Sequence, residues 1–210
     1  MKLIYTYINN INPDIIRDFA QKEIKNQRKF IQHAMGRFLS DIGLKQFYGV
    51  NEYNISIDTK GKPYIDKNIN FSITHSKDIV AVGFSKDIIG VDIEYIKPRD
   101  YKSILNHYNI DREVNDGEFY QIWTDYEARI KSGLDSSVSF RLDNYILSVS
   151  SNSTQLAIYE AEIPTDKSIP SELISLKLVK ESSKNENTVD KHAANTAISD
   201  CLPPLDLKIE

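Results

Sequence analysis

The succession of apolar patterns predicts an α+β fold made of two related halves. A helical stretch comes before a group of short strands, and the same succession, helix before strands, then occurs again. The strand-like runs are short, rich in β-branched and aromatic residues and bounded by turn residues. The helical runs are long and place apolar residues at three- and four-residue spacing.

Taken in order, Leu3 to Ile8 reads as a first strand. Pro13-Asp14 opens a helical stretch from Ile15 to about Leu44, with Gly36 and Gly43 as positions where it can divide into two helices. Tyr53 to Asp58 alternates like a short strand, and Lys60 to Pro63 reads as a turn. Three strands follow at Phe71–Thr74, Ile79–Phe84 and Ile89–Ile96, the last stopped by Pro98. Tyr101 to Gly133 is helical, most densely over Phe119–Ile130, and strands return at Val138–Leu142, Tyr145–Ser150 and Gln155–Ile163. The expected organisation is an N-terminal half, 1–97, a C-terminal half, 98–178, and a flexible tail, 179–210, whose sequence lacks aromatics and apolar periodicity.

Composition narrows the class. No run approaches the roughly 18 consecutive apolar residues of a membrane helix, so no membrane partner is expected. The start, MKLIYTYINN, turns polar too soon for a signal peptide, and the expected location is cytoplasmic. One cysteine, Cys201, excludes an internal disulfide framework and a cysteine-rich zinc site. A net charge of −4 argues against general nucleic-acid binding.

Chemistry concentrates in a few short segments. In GVDIEYI (90–96), strand alternation sends Asp92 and Glu94 to one side and Val91 and Ile93 to the other. Two acids side by side suit either a face open to water or a hard divalent cation, which takes oxygen ligands. In WTDYEARIK (123–131), Glu127 and Lys131 share a helix face. They read either as a surface ion pair or as a third carboxylate with a phosphate-binding lysine, while Trp123 and Ile130 anchor the helix in the core. Thr74 and His75 in FSITHS (71–76) can donate to phosphate oxygens, or can be ordinary strand-end residues. Lys62 in GKPY (61–64) is a point charge or a solvated turn residue.

In this order the four segments resemble the signature of surfactin-type 4′-phosphopantetheinyl transferases. That signature comprises a G-K-P segment, an F-N-[IL]-S-H-S segment, a G-[IV]-D-[IV]-E strand and a W-[ST]-x-K-E-[AS]-x-x-K helix. The resemblance spans roughly residues 1–165. It implies a two-lobed α+β monomer of pseudo-symmetric halves with coenzyme A bound between them. The implied reaction is Mg2+-dependent, with Mn2+ as a substitute. It moves the phosphopantetheine arm to a serine of an acyl or peptidyl carrier protein of a nonribosomal-peptide, polyketide or fatty-acid pathway, leaving adenosine 3′,5′-bisphosphate. Carried over by position, Asp92, Glu94 and Glu127 are metal carboxylates, and Glu127 is also the base. Lys131 holds the transferring phosphate, Thr74 and His75 grip the phosphates of coenzyme A, and Lys62 reaches its adenosine end. Arg28 and Lys29 fall where basic residues meet the 3′-phosphate, although a solvated helix face accounts for them equally.

The chain departs from the pattern at Tyr126, where the family carries lysine. On sequence grounds Tyr126→Lys is expected to give equal or higher activity. Ser72 and Thr74 replace asparagine and serine, and the segment from Glu94 to Trp123 is short for this family. A diverged relative that binds coenzyme A or a carrier protein without efficient transfer is the alternative these departures leave open.

Overall fold

The computed structural model describes residues 1–9, 11–20, 24–59, 61–108, 110–164 and 174–183. Its architecture follows from two strands with apolar residues on both faces. β1 (Lys2–Tyr7) and β5 (Ile79–Ser85) lie inside a five-stranded sheet ordered β10-β9-β1-β5-β4. The other members are β4 (Asn70–Ser76), β9 (Gln155–Glu162) and β10 (Ser175–Ser183). On one face, Ile4, Val80, Val82, Phe84 and Phe71 pack against Ala34, Met35, Phe38, Leu39 and Ile42 of helix α2 (Gln27–Tyr48). On the other, Leu3, Tyr5, Ile79 and Ala81 meet a second sheet, ordered β6-β8-β7, through Ile89, Val91, Ile93, Leu147 and Val149. That sheet consists of β6 (Ile89–Tyr95), β7 (Val138–Leu142) and β8 (Tyr145–Ser151). Its outer face is covered by helix α4 (Asp116–Ser132), which gives a helix–sheet–sheet–helix stack. Each fully buried aliphatic side chain in these layers is worth about 1.5–3 kcal/mol.

The α+β class and the repetition are both present. β1, α2, β4 and β5 form an antiparallel arrangement β1-β5-β4, and β6, α4, β7 and β8 repeat it as β6-β8-β7. In this order the repeat divides before β6. Strand β9 then returns to pair in parallel with β1, from Lys2↔Ala157 to Tyr5↔Glu160, so both halves build the larger sheet.

Several boundaries differ from the sequence reading for identifiable reasons. α2 is continuous through Gly36 and Gly43; the break comes earlier. α1 (Pro13–Ile16) and a 3-10 turn (Arg17–Phe19) precede a new start at Asn26, whose side chain accepts from Lys29 N at 2.9 Å. The glycine is needed for proximity: a Cβ at Gly43 would stand 2.3 Å from the Phe84 ring. The second helical stretch is likewise two helices, α3 (Lys102–His107) and α4, because Asn115 and Glu118 form a capping box that starts the latter. A short hairpin, β2 (Ile55–Ile57) with β3 (Pro63–Ile65), takes up part of the expected turn. β4 extends through His75 and Ser76, which leaves Lys77-Asp78 as the turn; Lys77 has φ +48°. β10 pairs with β9 through Ser183, beyond the expected boundary at 178, and the remainder of the expected tail, 184–210 with Cys201, lies outside the described residues. Among the described residues, no helix is long and apolar enough to cross a membrane.

Gly90 sets the distance between α4 and β6. A Cβ there would meet Ala128 O at 2.0 Å and Ser132 N at 2.7 Å, both main-chain atoms of α4. Gly90→Ala is therefore expected to destabilise by about 1–3 kcal/mol, as overpacking does. Urea unfolding measures this, and an unchanged midpoint would contradict the close contact.

Candidate active site

Among the described residues, β6 is an edge strand of its sheet, paired with β8. With Val91 and Ile93 turned into the core between the sheets, Asp92 and Glu94 face α4. Asp92 is 6% exposed. Its Oδ1 accepts from Lys131 Nζ at 2.6 Å and from Thr74 Oγ1 at 3.1 Å, while its buried Oδ2 has no partner among the described residues. Lys131 also donates to Val91 O at 3.1 Å. Glu94 is half-buried, and its Oε2 accepts from Ser76 Oγ at 2.6 Å. Glu127 lies one turn before Lys131 on α4 and is half-buried.

The three acids share an electrostatic environment. Burial, followed by repulsion from Asp92 and Glu94, pushes the Glu127 carboxyl above its ordinary value, and Lys131 opposes the rise. Burial also raises Glu94, with Asp92 adding to the rise, while the Ser76 hydrogen bond and Lys131 oppose it. As the side chains stand, no three His, Cys, Asp or Glu residues among those described form a group that could hold a metal ion. The donors nevertheless suit one: an orphaned carboxylate oxygen at Asp92 and two acids destabilised by burial and mutual repulsion are what a hard cation would relieve. The Lys131 ammonium, 2.6 Å from Asp92 Oδ1, brings positive charge to the acids.

The outer edge of β6 is not left bare. Its N–H groups at Val91, Ile93 and Tyr95 donate to the hydroxyls of Ser72, Thr74 and Ser76 on β4, at 3.1, 3.3 and 3.0 Å. Side chains of one sheet thus satisfy backbone donors of the other, each bond contributing about 0.5–1.5 kcal/mol net. On the opposite side, Thr124 and Ser139 pair with Ser148 at 2.7 and 2.8 Å, and Ser132 pairs with Ser150 at 2.8 Å, joining α4 and β7 to β8. The sequence places Thr74 at a phosphate and does not point to these hydroxyls as partners of β6 and β8. The alternation Ser72-x-Thr74-x-Ser76 within one strand is the signal that could have found the first set.

The remaining expected residues divide by location. Thr74 is 5% exposed and its hydroxyl is engaged by Asp92 and Ile93 N, so it faces the acids within the protein. His75 is solvent-accessible; partial desolvation of its ring, then Lys131, hold its pKa below the ordinary imidazole value. Arg28, in the first turn of α2, bonds Asp78 Oδ1 at 2.7 Å and Lys77 O at 3.2 Å, which brings that helix start to the end of β4 that carries His75. Lys29 is exposed beside it in sequence. Lys62 is held at main-chain carbonyls, Ile89 O at 3.1 Å and Lys131 O at 2.9 Å, and lines a cavity of about 310 Å³ with Asp58, Pro63, Tyr64, Asn70 and Phe71. Desolvation lowers its pKa. The expectation for Ile130 is overturned: it is 40% exposed, because the helix turns Ile122, Ala128 and Arg129 inward, while Trp123 packs against Phe119 and Tyr108.

A carboxyl raised in the folded state favours folding most below its unfolded value, near 4.5 for glutamate. That contribution is lost as pH rises through the folded pKa. In chelator-treated buffer, Glu127→Gln is therefore expected to raise the thermal midpoint at neutral pH, with the gain closing as pH falls toward 4.5. A lowered midpoint at neutral pH would show that Glu127 is stabilised as an anion.

No protein-family model matches the chain. Individual proteins do. The chain is 27% identical over 165 residues to the 4′-phosphopantetheinyl transferase gsp of Aneurinibacillus migulanus, covering 72% of this chain and 68% of that protein. It is 31% identical over 118 residues to the 4′-phosphopantetheinyl transferase ffp of Bacillus subtilis, covering 49% and 51%. A third relative, from Haemophilus influenzae, is 34% identical over 86 residues and is covered over 37% of its length. The match thus spans about two thirds of the first relative and about half or less of the other two. Four motifs in order, an α+β repeat that turns Asp92 and Glu94 toward the helix carrying Glu127, and these similarities together point one way: the chain is similar to 4′-phosphopantetheinyl transferases.

Proposed function

We propose that this protein transfers 4′-phosphopantetheine from coenzyme A to a serine hydroxyl of an apo acyl or peptidyl carrier protein, as a surfactin-type enzyme would. The observation that carries this reading is Asp92, buried on β6 and ion-paired with Lys131 of α4, the helix that also carries Glu127, with one buried carboxylate oxygen left without a partner among the described residues. In this reading Asp92, Glu94 and Glu127 would hold Mg2+, which when bound supplies positive charge for the pyrophosphate oxygens.

The protein's own groups account for the rest of the chemistry. The serine Oγ bonds to the phosphorus that carries the pantetheine arm, the bond from that phosphorus to the oxygen of the leaving nucleotide breaks, and adenosine 3′,5′-bisphosphate departs. Glu127, on the helix that carries Lys131, takes the serine proton. Lys131 exchanges Asp92 for the phosphate it steadies. His75, Arg28 and Lys29 stand near the start of α2 for the anionic phosphates, and the cavity beside Lys62 suits the adenosine end.

Incubation with coenzyme A, Mg2+ and an apo carrier protein, read by intact mass, tests the proposal. Phosphopantetheine addition is expected, and Asp92→Asn should lower turnover on the order of 100-fold, the scale of losing one preorganised electrostatic group. Coenzyme A binding without addition to any carrier would favour the second reading, a diverged binding module, for which Tyr126 is the motivating feature.

Tyr126 is not a vacant lysine position. Its ring lies 4.5 Å from Tyr108, and both belong to a hydrophobic cluster with Phe119, Trp123, Leu105 and Ile110 that joins α3 to α4. Tyr126→Lys would put an ammonium into this cluster, so the sequence-based expectation reverses. The variant should melt at lower temperature and show no gain in kcat; a faster enzyme of unchanged stability would contradict the packing argument.

A further inference from the structure

We infer that Ser76 and Thr74 are positioning residues for the two strand carboxylates, set by a repeating contact between β4 and β6. The inference rests on the transferase reading for its link to the reaction, but its geometry stands by itself. Thr74 accepts from Ile93 N at 3.3 Å and donates to Asp92, the residue before it, at 3.1 Å. Ser76 accepts from Tyr95 N at 3.0 Å and donates to Glu94, again the residue before it, at 2.6 Å. Ser72 accepts from Val91 N at 3.1 Å, and the residue before Val91 is Gly90, which has no side chain to hold.

A hydroxyl has one proton to give and two lone pairs. When the backbone N–H of β6 occupies a lone pair and the proton points at the neighbouring carboxylate, the acid is fixed relative to the strand that carries it. At both rungs one carboxylate oxygen is tied: Oδ1 of Asp92, which leaves Oδ2 unpartnered and buried, and Oε2 of Glu94. Because β4 and β6 belong to different sheets, the rungs also hold the acid-bearing edge in place without a main-chain partner on that side. Thr74 therefore acts on the reaction through Asp92.

The test uses Mn2+ as a spectroscopic probe on the full chain. Bound Mn2+ is measured by electron paramagnetic resonance without coenzyme A, alongside kcat, KM and thermal midpoint. Ser76→Ala and Thr74→Val are expected to weaken Mn2+ binding ~10- to 100-fold, the usual effect of removing a partner that orients a metal-binding carboxylate. Ser76→Thr, which keeps the hydroxyl, should restore most of it. Ser72→Ala removes a rung that touches no acid; it should lower the midpoint while keeping Mn2+ affinity. Equal loss of Mn2+ affinity in all three rung variants, unchanged affinity in Ser76→Ala and Thr74→Val, or no Mn2+ binding by the unsubstituted protein would each overturn the inference. Mn2+ binding that responds as expected in a protein that modifies no carrier would instead sink the transferase reading and leave the positioning role standing.

Discussion

The packing of Val91 and Ile93 between the two sheets fixes the register of β6, and that register leaves Asp92 and Glu94 facing α4. A slip by one residue would send both acids into an apolar layer and both aliphatic side chains under the helix, so the core itself selects where the charges go. The same constraint explains Gly90. The strand can lie close enough beneath α4 for Asp92 to meet Lys131 because position 90 has no side chain to hold the helix away.

Holding two acids under a helix that carries a third is unfavourable by itself, and the surrounding groups are those that lessen the cost. Lys131 reaches from α4 to Asp92, Ser76 and Thr74 donate from β4, and Lys62 braces the carbonyls of Ile89 and Lys131. The compensation is incomplete. Burial and repulsion keep Glu94 and Glu127 above their ordinary pKa values, and Asp92 Oδ2 stays orphaned. Residual electrostatic strain of this kind is common where a site is arranged to receive a cation and an anionic substrate.

Much of this was legible in the sequence. Alternation alone put Asp92 and Glu94 on one side, and helical spacing put Glu127 and Lys131 on one face. What spacing could not convey was partnership across the fold. The choice of Asp92 as the ion-pair partner of Lys131, the engagement of Lys62 by carbonyls, and the hydroxyl rungs all depend on contacts between residues distant in the chain. Ile130 misled because an apolar residue on an amphipathic helix was read as core, whereas the buried stripe passes through Ile122, Ala128 and the guanidinium-bearing Arg129. Tyr126 shows the complementary gap: the motif marks it as a position without the family's charge, and only the fold shows that Tyr108, 18 positions earlier by the numbering, packs against its ring.

The central claim, that the acids beneath α4 form one cation site, is tested most directly by anomalous diffraction from crystals grown with Mn2+ and coenzyme A. The account predicts a manganese peak bonded to Asp92 Oδ2 and to Glu94 and Glu127, with the Lys131 ammonium moved from Asp92 onto a phosphate. A manganese peak elsewhere, or none while Lys131 still rests on Asp92 with coenzyme A bound, would contradict it.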